Sequence, residues 1–220
     1  MGAGKKIEYF LVHTLKCSNK QARAMLAQGK VCVAGEIVRE NIEIDHTSEI
    51  TVDGKMVQQK PIYLKFYKPV GFVSSLNEKV ADSLYPIFKD LLPLTIAGRL
   101  DKNSEGLLLL TNDGKWAKHI TDPTTLKEKE YVVKVDNSFT SDFVEKMSEG
   151  VDIGFYKTKP CRCWIIDNFS FGIILTEGKN KQIRRMCKTL GYKVVFLKRI
   201  RVDKITIENQ TVGSYQLLKM

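Results

Sequence analysis

The stretch IAGRLDKNSEGLLLLTNDG, residues Ile96 to Gly114, decides how this chain folds. It sets an arginine, an aspartate and a glutamate against four consecutive leucines, Leu107 to Leu110, the most apolar run in the sequence. Bounded by Gly106 and by turn-forming residues after Thr111, the leucines predict a short strand buried on both faces. Asp101 stands just upstream, where an unpaired carboxylate is expensive to desolvate. An aspartate in a polar loop is most often incidental, so its role depends on the rest of the chain.

Length and composition narrow the class of protein. A chain of 220 residues with 43% hydrophobic content can form one domain, or a small domain attached to a larger one. No apolar run approaches the ~20 residues needed to span a bilayer, and the start MGAGKKIEYF lacks the apolar segment of a secretory signal. We therefore expect a cytoplasmic protein without a membrane partner.

The five cysteines predict no metal site. They are odd in number and scattered, and no Cys-x-x-Cys pair or histidine cluster accompanies them. Cys161 and Cys163 share one face of a probable strand, where simple packing is the commoner explanation. Reduced thiols are the expectation for all five.

The formal net charge of +10 indicates a polyanionic partner, and its location is more informative than its size. The segment Gly178 to Lys204 holds ten basic residues and one acid, Asp203, so it carries +9 of that charge. A second cluster is free of acids between its ends and consists of Lys16, Lys20, Arg23 and Lys30. Two separate basic clusters predict a nucleic-acid footprint in two parts.

The first basic cluster falls on a helical pattern. Ile7 begins one apolar helical repeat, and Ser18 followed by Gln21 forms a capping box for a second helix that ends at Gly29. A hairpin turning near Ala34-Gly35 follows. This segment, through SNKQARAMLAQGKVCVAGEIV, resembles the S4 RNA-binding domain. The alternative is a generic small α+β domain whose lysines are merely solvated.

The second domain begins after a polar link at Gln58 to Pro61, which gives domain bounds of 1–57 and 62–220. Strands are expected at Ile62 to Lys68, Leu107 to Thr111, Glu130 to Val135, Cys163 to Asp167, Gly172 to Thr176, Val194 to Val202 and Lys204 to Glu208. Helices are expected near Lys115 to Ile120, Ser141 to Glu149 and Lys181 to Leu190. The fold class is α+β: a small S4 domain, then a mixed, mainly antiparallel sheet with flanking helices.

Four blocks of the second domain closely resemble pseudouridine synthases of the RsuA/RluF family. They are YLKFYKPVGFVSS, GRLDKNSEGLLLLTNDG, KEYVVKV and EGKNKQIRRMCKTLGYKVVFLKRIRV, and an S4 domain ahead of them is the family's usual arrangement. The resemblance implies isomerisation of uridine to pseudouridine in RNA, with Asp101 of the GRLD block as the catalytic carboxylate. This reaction gains and loses no atom, so the resemblance implies no redox cofactor and no metal.

The same resemblance assigns the substrate-binding residues. Tyr131 of KEYVVKV corresponds to the stacking tyrosine that holds the uracil, and Arg99 to a substrate or phosphate contact. Arg184 of KQIRRM is the candidate cation that keeps Asp101 ionised, because a nearby opposite charge lowers a carboxylate pKa. Asn180 and Lys181 in the last block are closer to the RluF-like branch, which acts on large-subunit ribosomal RNA.

The last strand, VVFLKRIRV, supplies the floor of the expected pocket. Simple alternation places Leu197, Arg199 and Arg201 on one face, so that a leucine floor would open onto phosphate. A core leucine on an edge strand is the commoner meaning of such a pattern. Expected phosphate contacts are the basic residues Lys16, Lys20, Arg23, Lys181, Arg185, Arg199 and Arg201.

Three functions remain open on the sequence. The first is a monomeric enzyme that modifies ribosomal RNA, 23S rather than 16S, with transfer RNA or a ribosomal subunit assembly intermediate as further possible partners. The second is a non-catalytic S4-type RNA-binding or ribosome-assembly protein, which has no reason to keep an acid, an aromatic ring and a cation together. The third is glycoside hydrolysis, which typically needs two carboxylates, and Glu105 is a poor second acid because its motif position indicates a loop.

Overall fold

The computed structural model describes residues 5–44, 48–58 and 60–218. The chain divides into two compact units, Met1–Pro61 and Ile62–Met220. Within the described part of the chain, no helix has the length and apolar character needed to cross a membrane. The predicted fold class, α+β, is confirmed.

The N-terminal unit begins with two helices, α1 (Ile7–Leu15) and α2 (Asn19–Ala27). The predicted capping box is present: the Ser18 hydroxyl accepts from the Gln21 backbone N–H at 3.2 Å, and the Gln21 side chain accepts from the Ser18 N–H at 2.8 Å. The strands are β1 (Lys5–Lys6), β2 (Val31–Val33), β3 (Glu36–Val38), β4 (Glu43–Ile44), β5 (Ile50–Val52) and β6 (Lys55–Gln58). They form a sheet of order β3-β2-β5-β6 and a separate β1-β4 pair.

The C-terminal unit is built on one nine-stranded sheet of order β11-β12-β10-β13-β9-β7-β15, with β8 beside β9 and β14 beside β13. Its strands are β7 (Tyr63–Lys68), β8 (Thr95–Ala97), β9 (Glu105–Thr111), β10 (Lys129–Val135), β11 (Arg162–Asp167), β12 (Ser170–Leu175), β13 (Val194–Val202), β14 (Ile205–Thr206) and β15 (Tyr215–Leu217). Its helices are α3 (Tyr85–Phe88), α4 (Gly114–Thr121), α5 (Ser141–Glu149) and α6 (Gln182–Thr189). Among the strands paired in the described residues, β9 and β13 alone run parallel. The sheet is therefore mixed and mainly antiparallel, as predicted.

Strand β9 lies at the centre of this unit and confirms the interpretation of the leucine run. Leu107 to Leu110 are all fully buried. Leu108 and Leu110 pack into the large core cluster on one face of the sheet, and Leu107 and Leu109 into a smaller cluster on the other. Apolar side chains cover both faces of this strand, which explains why polar and apolar residues do not alternate in its sequence.

Strand β13 departs from the expected alternation. Tyr131 of β10 is paired with Arg199, and the preceding residue Glu130 with Arg201, so Ile200 has no partner opposite it. Successive residues of β10 point to opposite faces, and a bulge in β13 therefore moves Arg201 to the face opposite Arg199. The prediction that Arg199 and Arg201 share a face with Leu197 is wrong for Arg201.

Short elements account for the other differences from the sequence prediction. The structure adds β8, β15 and α3, each too short to produce a periodic signal, and reduces the expected strand at 204–208 to Ile205–Thr206. Glu105 is the first residue of β9 rather than a loop residue.

Candidate active site

A cavity of about 540 Å³ opens on the sheet face that carries Tyr131, Leu197 and Arg199, and Asp101 is part of its lining. Other lining residues are polar or basic and include Arg99, Lys102, Lys129, Glu177, Lys179, Lys181 and Gln182. The structure thus brings together the predicted Asp101, Tyr131, Leu197, Arg99, Lys181 and Arg199. Glu105 does not line it, because its carboxylate accepts a hydrogen bond from the Tyr67 hydroxyl at 2.8 Å.

Asp101 sits in a loop that is held on both sides. Before it, the Ser74 hydroxyl donates to the Leu100 carbonyl at 2.7 Å and accepts from the Leu100 N–H at 3.0 Å. After it, the Ser104 N–H donates to the Asp101 carbonyl at 3.0 Å, and the Lys102 carbonyl accepts from Gly71 N–H at 2.8 Å. Asp101 is half-buried, and these bonds hold its backbone in place at the cavity.

A buried lysine that the sequence analysis did not single out lies beside this loop. Lys68, the last residue of β7, is fully buried, and its ammonium group donates to the Ser104 carbonyl at 2.7 Å and to the Pro69 carbonyl at 2.9 Å. Burial lowers the pKa of Lys68 to about 8, and the charges of Asp101 and Glu105 partly oppose that shift. Lys68 therefore supplies positive charge beneath Asp101 and ties down its loop.

The pH dependence of stability should reveal this lysine. Between pH 8 and 10.5 the unfolded chain keeps a proton on Lys68 that the folded chain has released, so the free energy of unfolding contributed by this group rises with pH. We expect the unfolding free energy of wild type, minus that of Lys68→Met, to rise by up to about 1.4 kcal/mol per pH unit in that window. Denaturant titrations at several pH values measure the unfolding free energies. If wild type and Lys68→Met gave parallel curves against pH, the prediction would be contradicted. Lys134→Met is the control for the loss of an exposed lysine.

Arg184 holds the same loop from the other side. Its guanidinium donates to the Asn103 carbonyl at 2.7 Å, to the Ser104 hydroxyl at 3.2 Å and to the Val194 carbonyl at 3.2 Å. No ion pair within 4 Å joins Asp101 to a cation among the described residues. The expected pairing of Arg184 with Asp101 is therefore not present, and Arg184 instead connects the Asp101 loop to β13.

Tyr131 and Leu197 form an aromatic and apolar wall of the cavity that Asp101 also lines. Pairing between β10 and β13 sets Tyr131 opposite Arg199 and Val133 opposite Leu197, so these side chains share one face. Tyr131 is 8% exposed and Leu197 7% exposed. Such a wall offers a planar base both a ring to stack on and an apolar surface.

Arg199 and Arg201 of β13 were expected to contact phosphate, but both are hydrogen-bonded to partners within the protein. Arg199 is 2% exposed and donates to the carbonyls of Leu107 at 2.8 Å and Gly98 at 2.7 Å, so it braces the segment leading to Asp101. Arg201, on the opposite face, donates to Glu130 at 2.7 Å and to Glu128 at 2.9 Å. Sequence alone could not show these partners, which lie some seventy or more positions away.

One wall of the cavity is organised by Glu177, which sequence reasoning also missed. This buried carboxylate accepts from the Tyr156 hydroxyl at 2.7 Å, from the Gln182 side chain at 2.8 Å and from the Lys159 N–H at 3.1 Å. Lys179 and Lys181 stand exposed beside it on the rim. The sequence EGKNKQ shows that charged residues are concentrated here. Only the fold shows that the glutamate is structural and that the two lysines are exposed beside the cavity.

In the N-terminal unit the predicted basic cluster is partly neutralised. Arg23 donates to the Glu8 carboxylate at 2.9 Å, and Lys30 lies 3.7 Å from Asp53. Lys16 and Lys20 are exposed, and neither takes part in an ion pair among the described residues. The acids that pair with Arg23 and Lys30 lie outside the sequence window in which the cluster was recognised.

The cysteines of this chain are free thiols. All five cysteines are free, and Cys161 and Cys163 bring their sulfurs to 3.7 Å. Across the residues the structure describes, no three His, Cys, Asp or Glu side chains are grouped so that they could hold a metal ion.

Comparison with known proteins identifies relatives along nearly the whole chain. The family model described as RNA pseudouridylate synthase matches residues 62–189. An uncharacterized RNA pseudouridine synthase of Aquifex aeolicus is 33% identical and covers 97% of this chain and 92% of its own length. The dual-specificity RNA pseudouridine synthase RluF of Escherichia coli K12 is 32% identical over 91% of this chain and 70% of its own length. A ribosomal small subunit pseudouridine synthase A of Vibrio vulnificus is 34% identical over 97% of this chain and 95% of its own length.

A solved structure supports the same grouping. The crystal structure of a pseudouridylate synthase superimposes with a TM-score of 0.68 at 29% sequence identity, and the match covers 98% of this chain and 96% of the other.

Proposed function

Because this chain belongs to the RNA pseudouridylate synthase family, in its RsuA/RluF branch, we propose that it isomerises a specific uridine of ribosomal RNA to pseudouridine. The observation that supports the proposal best is one cavity whose lining includes Asp101, Tyr131 and Leu197 together with several basic side chains. That set combines a reactive carboxylate, a holder for a planar base and positive charge for an RNA backbone.

The chemistry we propose uses Asp101 as the catalytic residue. The bond from uracil N1 to C1′ breaks, the base turns, and C5 forms the new bond to C1′, while the C5 proton is lost and N1 gains one. A carboxylate can attack C1′ as a nucleophile, or act as a base toward the sugar, and its charge stabilises a developing cation at C1′. The pinned loop around Asp101 and the neighbouring Lys68 supply the required positioning.

Tyr131 and Leu197 would hold the uracil once it has left the RNA stack. A base that is extruded from a helix needs an aromatic or apolar surface to replace its lost stacking. Tyr131 offers the ring and Leu197 the apolar floor, while Arg99 on the loop before Asp101 is placed to contact the sugar-phosphate backbone. These roles follow from placement in the cavity and from the family resemblance of the motifs.

The RNA contact should have two parts. On the catalytic unit, Lys181 and Arg185 are exposed near the cavity, and on the N-terminal unit Lys16 and Lys20 are exposed on the two-helix segment that resembles an S4 domain. Arg23 is a weaker candidate because Glu8 already pairs with it. Arg199 and Arg201 are not proposed as phosphate contacts, since both are committed to partners within the protein.

The target within ribosomal RNA is proposed from a short motif. Relatives named for the small subunit and the dual-specificity RluF are similar to this chain to nearly the same degree. The pair Asn180-Lys181 favours the RluF-like branch and hence 23S RNA, with transfer RNA or a subunit assembly intermediate as additional substrates. A cytoplasmic monomer fits this role.

An assay of labelled transcripts tests the proposal. Uridine tritiated at C5 loses its label when C5 is joined to C1′, so wild-type protein should release tritium from 23S transcripts and more slowly, or not at all, from 16S transcripts. Binding without release would identify a non-catalytic RNA-binding protein instead. Release of free uracil would identify a hydrolase.

A further inference from the structure

A tight hairpin next to the cavity presents an exposed aromatic ring. The Thr158 N–H donates to the Val151 carbonyl at 3.0 Å, and the Ile153 N–H donates to the Tyr156 carbonyl at 3.0 Å, which leaves Gly154 and Phe155 at the turn. Gly154 has φ +95°, a conformation that favours glycine and fixes a narrow turn. Phe155 is 63% exposed at its tip.

The hairpin is rigid on both sides of this ring. The guanidinium carbon of Arg185 lies 5.0 Å from the centre of the Phe155 ring. The next residue, Tyr156, is held by its hydrogen bond to Glu177 and by the Lys179 ammonium, 4.3 Å from the centre of its ring. These contacts restrict the tip before a ligand binds, which lowers the entropic cost of binding.

The position of the hairpin relates it to the catalytic cavity. The Tyr156 hydroxyl donates a hydrogen bond to Glu177. Glu177, Lys179 and Lys181 line the cavity that Asp101 also lines. Arg185 stands on α6, the helix whose residues Gln182 and Ile183 also line it. Phe155 is not part of the lining itself, but its neighbour Tyr156 and its contact Arg185 both adjoin residues that are.

The exposed charged residues of the hairpin and of the segment from Lys179 to Arg185 are mainly basic. Lys157, Lys179, Lys181 and Arg185 are all exposed. The carboxylate of Asp152 is turned toward the hairpin, where it accepts from the Gly154 N–H at 2.8 Å. A single exposed phenylalanine carries little information by itself. An exposed ring in contact with an arginine, with further exposed lysines on the neighbouring segments, is a combination that binds unstacked bases and their phosphates.

We propose that Phe155 stacks on a nucleobase next to the target uridine, with Arg185 and Lys157 contacting the adjoining phosphates. When the uridine turns into the cavity it leaves a gap in the RNA stack, and the ring of Phe155 covers the base exposed by that gap. The inference rests on the proposed function, because it takes the RNA to be the substrate of the same cavity.

The test uses full-length protein and a stem–loop that wild-type protein modifies, with 2-aminopurine placed beside the target uridine. Wild type should quench the fluorescence of this base on binding. Phe155→Ala should abolish the quenching and weaken binding by about 10-fold, as loss of one base–aromatic stack does. Phe155→Tyr should restore both, and Val212→Ala, which removes another exposed apolar side chain, should change neither.

Two results would overturn the proposal: quenching and affinity in Phe155→Ala equal to those of wild type, or failure of Phe155→Tyr to restore them while both variants melt like wild type. A failure of the proposed function looks different, because no RNA would then release tritium with the wild-type protein. Circular dichroism melting curves for all variants accompany the binding data, so a misfolded hairpin is recognised.

Discussion

Replacing Asp101 by asparagine should abolish pseudouridine formation while the protein still folds and still binds RNA. Asparagine keeps the shape of the side chain but lacks the charge and the nucleophilic oxygen. Loss of a catalytic nucleophile in other enzymes lowers turnover by roughly 10⁴-fold to 10⁶-fold, so product should fall below detection. Single-turnover tritium release, RNA binding and thermal unfolding measured on one preparation provide the necessary readouts.

The fold should survive this substitution because Asp101 is only half-buried and makes no ion pair within the described chain. The backbone bonds of its loop come from Ser74, Ser104 and Gly71 and do not use the carboxylate. Asp90→Asn, at an exposed acid elsewhere in the same unit, is the matched control and should keep full activity. Normal turnover in a folded Asp101→Asn protein would exclude the proposed mechanism.

The second large effect concerns Gly106, whose replacement by alanine should strongly destabilise the catalytic unit. A Cβ atom at this position would overlap the carbonyl oxygen of Arg199 and lie 2.7 Å from its backbone nitrogen, and the backbone φ of +110° is strained for any other residue. Neither backbone can yield without breaking the contact between β9 and β13. We expect a loss of more than about 4 kcal/mol, in the exceptional range for a single substitution.

Thermal unfolding measures this loss, which should lower the melting temperature by roughly 10 °C or more in a unit of this size. Gly114→Ala is a suitable control, because Gly114 begins α4 in open space with an ordinary backbone conformation. Equal melting temperatures for Gly106→Ala and wild type would show that the close approach of the two strands is wrong.

Local pattern was sufficient for most of the fold. The leucine run predicted β9, the capping box predicted α2, and the helix expected near Lys181 to Leu190 is α6, because each signal lies within one element. Asp101 itself could be singled out from its position before a buried strand and from its motif. These features require no knowledge of what lies across the fold.

Partners remote in sequence were not predictable in the same way. The sequence predicts only that Lys68 ends a strand. The tertiary structure shows that its ammonium group donates to the Ser104 carbonyl in the Asp101 loop. Arg184 was assigned to Asp101 by motif, whereas its donors satisfy backbone carbonyls of Asn103 and Val194. The face of Arg201 was wrong because a β-bulge depends on the neighbouring strand, which the sequence of β13 does not contain.

The parallel contact between β9 and β13 divides the catalytic sheet into two antiparallel halves that meet along a short seam. Its strand ladder has two residue pairs, Glu105 with Lys198 and Gly106 with Arg199, and the Arg199 side chain adds hydrogen bonds to the carbonyls of Leu107 and Gly98. The half with β7, β8 and β9 carries the loop of the acid, and the half with β10 to β13 carries the tyrosine wall. Opening of that seam would move the Asp101 loop away from Tyr131 and Leu197 before either half lost its own hydrogen bonds. Enzyme inactivation on warming should therefore precede global melting, with the amide protons of the seam exchanging first among those of the central strands.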